Sequence, residues 1–268
     1  MLVDGKKIAA IILGQLAVEV KALKKPPRLT AVLVGPDSEA GQLRKKFLLF
    51  KQKAAEQAGI NFQLYELSEK LTTEELCAEV SKISEAEEND GVLVELPLPK
   101  HIDRQLVLDA VAWEKDVDVL SSQGQTAYYS NQSAILPPAV EAVKAIFEEY
   151  KVELKDKACA VFGSGLLVGR PVAHWLKQQG AKVLIVDEFT GAPEQISITA
   201  DIIISGVGHR NLITADMVKD DAILIDFGPD LNWESFREKP TCLITPPTGG
   251  VGPIVVASVL KNLLSLAK

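Results

Sequence analysis

Apolar residues fall in two rhythms along this chain, and the rhythms alternate. Between residues 8 and 23 the side chains of Ile8, Ile11, Ile12, Leu16 and Leu23 keep helical spacing, and Pro26 and Pro27 end the segment. Residues 29–34 are a short, continuous apolar run closed by Gly35, the pattern of a strand buried on both faces. A second helix is predicted over 38–58 with Gly59 at its end, a strand over 61–67, and a helix over 72–84. Thr72 followed three residues later by Glu75 marks the start of that last helix as a capping box. Residues 91–96 read as another buried strand, and 103–112 as a helix. Between them, Leu96-Pro97-Leu98-Pro99-Lys100-His101 carries two prolines and forms an irregular loop just past a strand end. Residues 115–119 form a charged loop, and the polar stretch 121–134 shows no pattern that assigns it.

The second half repeats the alternation. A helix over 137–150 opens on Pro137, and strands follow at 158–162, 183–186, 200–205 and 222–227. Helices are predicted after Gly169 and over 214–219, and a final helix over 254–266. Strands alternating with helices in both halves predict an α/β protein whose sheets are mainly parallel. Two lobes are expected: an N-terminal α/β substrate lobe over 1–137, with 246–268 packing back on it, and a Rossmann-type dinucleotide-binding lobe over 138–245.

Composition narrows the partners. The chain has 268 residues, 47% hydrophobic and 24% charged, with net charge −7 and no long basic run, which argues against nucleic acid. No apolar run is long enough to span a bilayer, and the N-terminus lacks a signal-peptide core, so a cytoplasmic location is expected. Cys77, Cys159 and Cys242 lie far apart in apolar or helical patterns and read as reduced core residues. His101, His174 and His209 do not cluster, so no metal site is expected.

The clearest chemical signal is 158–171, ACAVFGSGLLVGRP. A strand runs into Gly163, Gly165 and Gly169, a helical pattern follows, and the next strand ends on Asp187. Glycines let the backbone turn tightly and approach a pyrophosphate, whose charge meets the free N–H groups of a helix start. An acid ending the second strand can accept hydrogen bonds from ribose hydroxyls. The spacing G-x-G-x-x-x-G is one residue longer than the standard fingerprint, and a plain strand-to-helix turn is the rival reading.

Six segments in order resemble the bifunctional methylenetetrahydrofolate dehydrogenase/methenyltetrahydrofolate cyclohydrolase family: DGVLVELPLPKHID (90–103), EKDVDV (114–119), VGRP (168–171), ADIIISGVG (200–208), ILIDFG (223–228) and TPPTGGVGP (245–253). The resemblance implies oxidation of 5,10-methylenetetrahydrofolate with a nicotinamide cofactor, then hydrolysis of the methenyl form to 10-formyltetrahydrofolate. It also implies a folate site in a cleft, a homodimer, and a place in one-carbon metabolism and purine biosynthesis. On the cofactor side it points to Gly163, Ser164, Gly165, Val168, Gly169, Arg170, Asp187, Thr190, Gly206, Gly208, Gly228 and Pro229. On the substrate side it points to Phe47, Leu96, Pro97, Asp118, Pro246, Gly249, Gly250 and Pro253, with Lys51, Glu95 and Asp118 as the catalytic group.

This chain departs from the family pattern at several of these positions. The family's Tyr-x-x-x-Lys falls on Phe47 and Lys51 when anchored on Lys53-Ala54-Ala55-Glu56-Gln57-Ala58-Gly59. Counting forward from Gly35 falls out of register by four residues, about one helical turn, and leaves Lys46 as a second candidate. The family's glutamine is Glu95, its Gly-Arg-Ser is Gly163-Ser164-Gly165, and its Cys-His is Val186-Asp187. In the resemblance the lysine moves protons at the one-carbon unit and helps activate water. A lysine does so only where its surroundings make it release a proton near working pH, and a neighbouring carboxylate favours the ammonium form instead. Weakened cyclohydrolase chemistry is therefore expected, with a dehydrogenase-only or ligand-binding relative as the alternative.

The family's aspartate on the pterin ring falls on Asp118, while Asp116 reads as structural. Loss of the Gly-Arg-Ser arginine and the presence of Asp187 lean the cofactor toward NAD over NADP. Apart from the resemblance, an amino-acid or shikimate-type dehydrogenase pairs similar lobes and stays open.

Overall fold

The computed structural model describes residues 1–237, 239 and 243–268, so Cys242 lies outside the described residues. The chain divides into two compact units, residues 10–138 with 256–268, and residues 1–9 with 139–255. Residues 1–9 and 246–255 thus go with the second unit.

In the first unit, β1 (Arg28–Val34) lies between β2 (Asn61–Leu67) and β3 (Gly91–Val94), and both pairings are parallel. β1 is buried along nearly its whole length, as its unbroken apolar run requires. Around the sheet lie α1 (Gly5–Lys21), α2 (Glu39–Gln57), α3 (Thr73–Glu85) and the C-terminal helix (Val251–Leu266), whose residues from 256 onward belong to this unit. Leu16 of α1, Leu29 and Leu33 of β1, Leu48 of α2, Leu93 of β3 and Leu260 and Leu263 of the C-terminal helix are among the side chains of one shared core. Gly91 is required by packing: a Cβ there would stand 2.6 Å from side-chain atoms of both Val117 and Leu263. The predicted capping box is present at α3, with Thr72 accepting from the Glu75 N–H and Glu75 accepting from the Thr72 N–H.

The helix expected over 103–112 is the shorter α4 (Arg104–Asp109), and the strand expected to reach 96 stops at Val94. The unassigned stretch 121–134 holds α5 (Ser122–Tyr129), capped by the Ser121 hydroxyl, which accepts from the Gly124 N–H. Asp109 accepts both the N–H and the hydroxyl of Ser122, so α5 is fixed from a distant helix end.

In the second unit, β4 (Ala158–Phe162), β5 (Lys182–Val186), β6 (Ile202–Ser205), β7 (Ile223–Asp226) and β8 (Leu243–Ile244) form one parallel sheet. Its order, β5-β4-β6-β7-β8, puts the chain's change of direction beside β4. The helices are α6 (Pro138–Glu149), α7 (Gly169–Gln178) and α8 (Pro193–Ser197). β8 and α8 have no counterpart in the sequence reading, and the helix expected over 214–219 is one 3-10 turn, Ala215–Met217. Cys159 is buried as expected, whereas Cys77 on α3 is half-buried. No helix of the described residues is long and apolar enough to cross a membrane.

Candidate active site

Three ionisable side chains of the first unit come together. Lys51 lies on α2, and its Nζ donates to Glu95 Oε2 at 2.5 Å, with the two side chains only 17% and 11% exposed. Glu95 sits just past β3, where its N–H donates to Val32 O at 2.9 Å and so continues the ladder onto β1. Asp118 is the third member. Asp116, two residues earlier, bridges to Val92 of β3, and Asn262 of the C-terminal helix donates to Val117 O at 2.9 Å. The backbone carrying Asp118 is therefore pinned from both sides.

Asp118 keeps part of its surface exposed, yet enough protein surrounds its carboxyl that desolvation is the strongest influence on it. Its pKa is pushed up to about 7: burial raises it, the Lys51 charge opposes the rise, and the Asp116 and Glu95 charges reinforce it. Asp116 is buried and its carboxyl is also pushed up by burial, against hydrogen bonds led by the one from the Ser121 N–H. Its structural reading fits this geometry. Lys46 is exposed, and so is Phe47, at 54%. Lys51 is the lysine that faces the two carboxylates.

The Leu96–Pro97 bond is cis, and Pro97 O accepts from Arg44 Nη1. Arg44 is absent from the residues that sequence points to, yet it is 8% exposed at the heart of this region. An arginine within the run Arg44-Lys45-Lys46 reads as one more solvated charge, so no local signal marks it.

Pro246, Gly249, Gly250 and Pro253 belong to the second unit together with the start of α1. Gly249 has φ +78°, and a Cβ on Gly250 would lie 2.4 Å from Pro246 O. A Cβ on Gly5 would lie 1.7 Å from Gly250 O, so this loop packs backbone to backbone against the chain's own N-terminal segment.

The glycines after β4 have separate duties. Gly163 turns the chain with φ +93°, and Gly169 lets α7 approach, since a Cβ there would stand 1.9 Å from Gly163 O. Gly206 makes room for Val168, whose side chain would be 2.7 Å from an added Cβ. Around Gly165 an added Cβ would meet nothing within 4 Å, leaving an open backbone surface before α7. Val168, at the start of α7, supplies no side-chain cap. An uncapped helix start behind an open glycine turn at the sheet's switch point fits the pyrophosphate of a dinucleotide.

Arg170 Nε donates to Ser164 O at 2.8 Å and stiffens that turn. Past β5, Asp187 Oδ1 accepts from the Thr190 hydroxyl at 3.0 Å and the Phe189 N–H at 3.1 Å, which closes a small turn at the strand end. Gly208 and Gly228 lie side by side, an added Cβ on Gly228 being 3.5 Å from Gly208 Cα, and Pro229 O accepts from the Asn211 N–H at 3.1 Å.

A residue missed in the sequence sits beneath these turns. Asp230 is fully buried and accepts from the Ser205 hydroxyl at 2.6 Å and the Val207 N–H at 2.8 Å, anchoring the Gly206–Gly208 backbone. Asp226 beside it is pushed up to about 6 by burial, against hydrogen bonds from the Leu231 and Gly228 N–H groups. Among the described residues no group of three or more His, Cys, Asp or Glu is placed to hold a metal ion.

A parallel sheet with a glycine turn and an uncapped helix at its switch point defines an α/β protein with a Rossmann-type unit; the other unit carries a buried lysine–carboxylate cluster. Residues 3–118 match the family model described as tetrahydrofolate dehydrogenase/cyclohydrolase, catalytic domain, and residues 137–268 match its NAD(P)-binding domain. The chain belongs to the tetrahydrofolate dehydrogenase/cyclohydrolase family. It is 35% identical over 285 residues to the bifunctional protein FolD of Mycoplasmopsis synoviae, covering 100% of this chain and 99% of that one. Among solved structures, the bifunctional FolD enzyme of Campylobacter jejuni superposes with a TM-score of 0.93 at 31% identity, covering 100% of this chain and 98% of that one. The Trypanosoma brucei methylenetetrahydrofolate dehydrogenase-cyclohydrolase, solved with NADP and an inhibitor, gives a TM-score of 0.92 at 29% identity, covering 100% and 97%. The resemblance read from the six sequence segments is borne out, and the amino-acid or shikimate-type reading falls away.

Proposed function

We propose that this chain oxidises 5,10-methylenetetrahydrofolate to 5,10-methenyltetrahydrofolate and hydrolyses the methenyl form to 10-formyltetrahydrofolate. The observation that carries the reading is the Lys51–Glu95 pair beside Asp118, within the residues matched by the family's catalytic domain. In this reading the first unit holds the folate and the second the dinucleotide. The bound nicotinamide supplies the hydride acceptor. Hydride leaves a carbon held between two nitrogens, so the folate product is a delocalised cation, and the residues around it need only position it and balance charge.

Hydrolysis asks more of the chain. Water adds to the methenyl carbon and loses one proton; the hydroxyl so formed loses its second proton as the carbon–N5 bond breaks and N5 gains a proton, so one proton is released overall. Lys51 is the group placed to carry those protons. Its 2.5 Å ion pair with Glu95 is given up whenever the ammonium releases a proton, a cost that an amide partner would impose far less. Phe47 brings no hydroxyl to orient water. Cyclohydrolase activity is accordingly the weaker of the two. Asp118 accepts the paired N–H groups of the pterin ring when ionised, with Leu96 and Pro97 of the same unit framing it.

Between the two cofactors we favour NAD. Asp187 puts a carboxylate at the end of β5, where it suits a free ribose 2′-hydroxyl and repels a 2′-phosphate, and Arg170 is engaged with Ser164 O. Gly163, Ser164, Gly165, Val168 and Gly169 cradle the pyrophosphate in this reading, with Thr190, Gly206, Gly208, Gly228 and Pro229 along the same strand ends. The enzyme is read as a cytoplasmic homodimer, which light scattering on the purified chain tests for the oligomer. Initial rates with methylenetetrahydrofolate and each cofactor, and methenyltetrahydrofolate hydrolysis without cofactor, test the function. Absence of both activities overturns it; a clear NADP preference overturns the cofactor choice alone.

A further inference from the structure

α2 is seated on the first unit at two levels. At its start the contact is backbone to backbone, since a Cβ on Gly41 would stand 1.9 Å from Gly35 O. One turn later Arg44 turns its guanidinium inward. Nη2 donates to Val34 O at 3.0 Å, Nη1 donates to Pro97 O, and Nε donates to Ala40 O at 3.3 Å within α2 itself. Val34 is the last residue of β1, and Pro97 lies two residues beyond Glu95. One side chain thus ties together a helix, the end of a central strand and the loop that carries Glu95.

The chemistry of the side chain suits the task. A guanidinium presents separately directed N–H groups in a planar fork, so it can hold carbonyl oxygens on two different segments at a fixed separation. A lysine has one nitrogen and cannot reproduce that spacing. Ionic partners do not account for its burial, because the three groups it donates to are all carbonyl oxygens.

Lys51 follows Arg44 by seven residues, two turns along the same face of α2. Where Lys51 Nζ meets Glu95 therefore depends on how α2 is registered against the Leu96–Pro97 segment. We propose that Arg44 is a positioning residue that sets this register, so that Lys51 and Glu95 meet at hydrogen-bond distance. The inference rests on the function proposed above. It adds to that reading a clamp in the helix start where the family's spacing from Gly35 is overrun by about one turn.

The test pairs Arg44→Met with Arg44→Lys, each in the native chain and in a Glu95→Gln background. In the native chain Arg44→Met should lower dehydrogenase kcat on the order of tenfold, with a smaller change in folate KM, because the Glu95 carboxylate that balances the developing cation is displaced. Arg44→Lys should recover only part of the loss. In the Glu95→Gln background the same Arg44→Met change should cost much less, since the pair it positions is already altered. Equal losses in both backgrounds, or a lower melting temperature with unchanged kcat, would overturn the proposal. A crystal structure of Arg44→Met, or of Arg44→Gln if the methionine variant does not fold, supplies a readout independent of activity. Lys51 Nζ and Glu95 drawn beyond hydrogen-bond reach support the clamp, and an unmoved pair refutes it. A native chain with neither activity refutes the proposed function and leaves this structural readout to decide on Arg44.

Discussion

Asp118→Asn isolates a carboxyl of the candidate site that folding pushes up to about 7. Folding lifts the Asp118 pKa from the ordinary 3.8 to about 7, so the folded chain holds this proton more tightly than the unfolded chain does. The contribution to stability is then greatest below the unfolded value and is lost as pH rises through the folded one. Integrating between those two values from pH 5 to pH 8 gives a loss of about 2.5 kcal/mol from this group alone. Partial exposure of Asp118 screens part of that, so a loss of roughly 1 to 2.5 kcal/mol is expected. The amide of the variant has no proton to lose. The difference in stability between variant and native chain should therefore shift by that amount in favour of the variant from pH 5 to pH 8.

Urea unfolding at the two pH values measures the shift. The probe must follow the correct unit, because a chain of two units need not unfold in one step. Trp113 lies in the unit of Asp118, while Trp175 and Trp233 lie in the other, so fluorescence in a Trp175→Phe, Trp233→Phe background reports the relevant transition. If native and variant chains lose the same stability between pH 5 and pH 8, Asp118 does not hold its proton in the folded state and the reasoning collapses.

Two further outcomes are expected. Glu95→Gln removes the charge 2.5 Å from Lys51 and should raise cyclohydrolase kcat severalfold, and Phe47→Tyr should add to it at little cost in stability because that ring is 54% exposed; methenyltetrahydrofolate hydrolysis that rises in neither variant would sink the account of the weakened half-reaction. Gly165→Ala and Gly41→Ala form a matched contrast: the first adds a Cβ with nothing within 4 Å and should leave stability within about 0.5 kcal/mol while weakening dinucleotide binding, whereas the second drives a Cβ to 1.9 Å from Gly35 O and should cost about 2 kcal/mol or more. Denaturant midpoints and cofactor titrations read both, and a Gly165→Ala chain that binds the dinucleotide as well as the native one would move the pyrophosphate away from this turn.

What can be read from sequence divides along the range of the forces involved. The buried strands β1 and β4 are legible to within a residue because their side chains face protein on both sides and their apolar runs are unbroken. α3 is legible because Thr72 and Glu75 satisfy each other locally. α5 is not, because Ser122–Tyr129 has no apolar rhythm and depends on Asp109, thirteen positions before Ser122. Arg44 and Asp230 escape notice for the same reason. Each is a polar residue whose meaning comes from backbone groups on other segments, Pro97 for one and Val207 for the other. Gly249 and Gly250 teach the converse: sequence suggests room for a substrate, and the structure adds Gly5 and Pro246 as close neighbours within the chain.

The two half-reactions make opposite demands on the charge at position 95. A carboxylate there pairs with the ammonium of Lys51 and opposes the proton removal that hydrolysis requires. On the proposed reading the same carboxylate faces a substrate carbon that becomes cationic as hydride leaves, and a negative charge near a developing positive one lowers that barrier. The local charge already leans negative, with Glu95, Asp118 and Asp116 around a single lysine, and a pKa of about 7 lets Asp118 take part of that load as a neutral acid. On the proposed reading, Glu95 therefore changes the ratio of the two activities more than either one alone. Cyclohydrolase should gain on dehydrogenase when Glu95 becomes glutamine, even if the total flux through both steps hardly moves. A chain that had merely lost function at this site would show both rates rising or falling together.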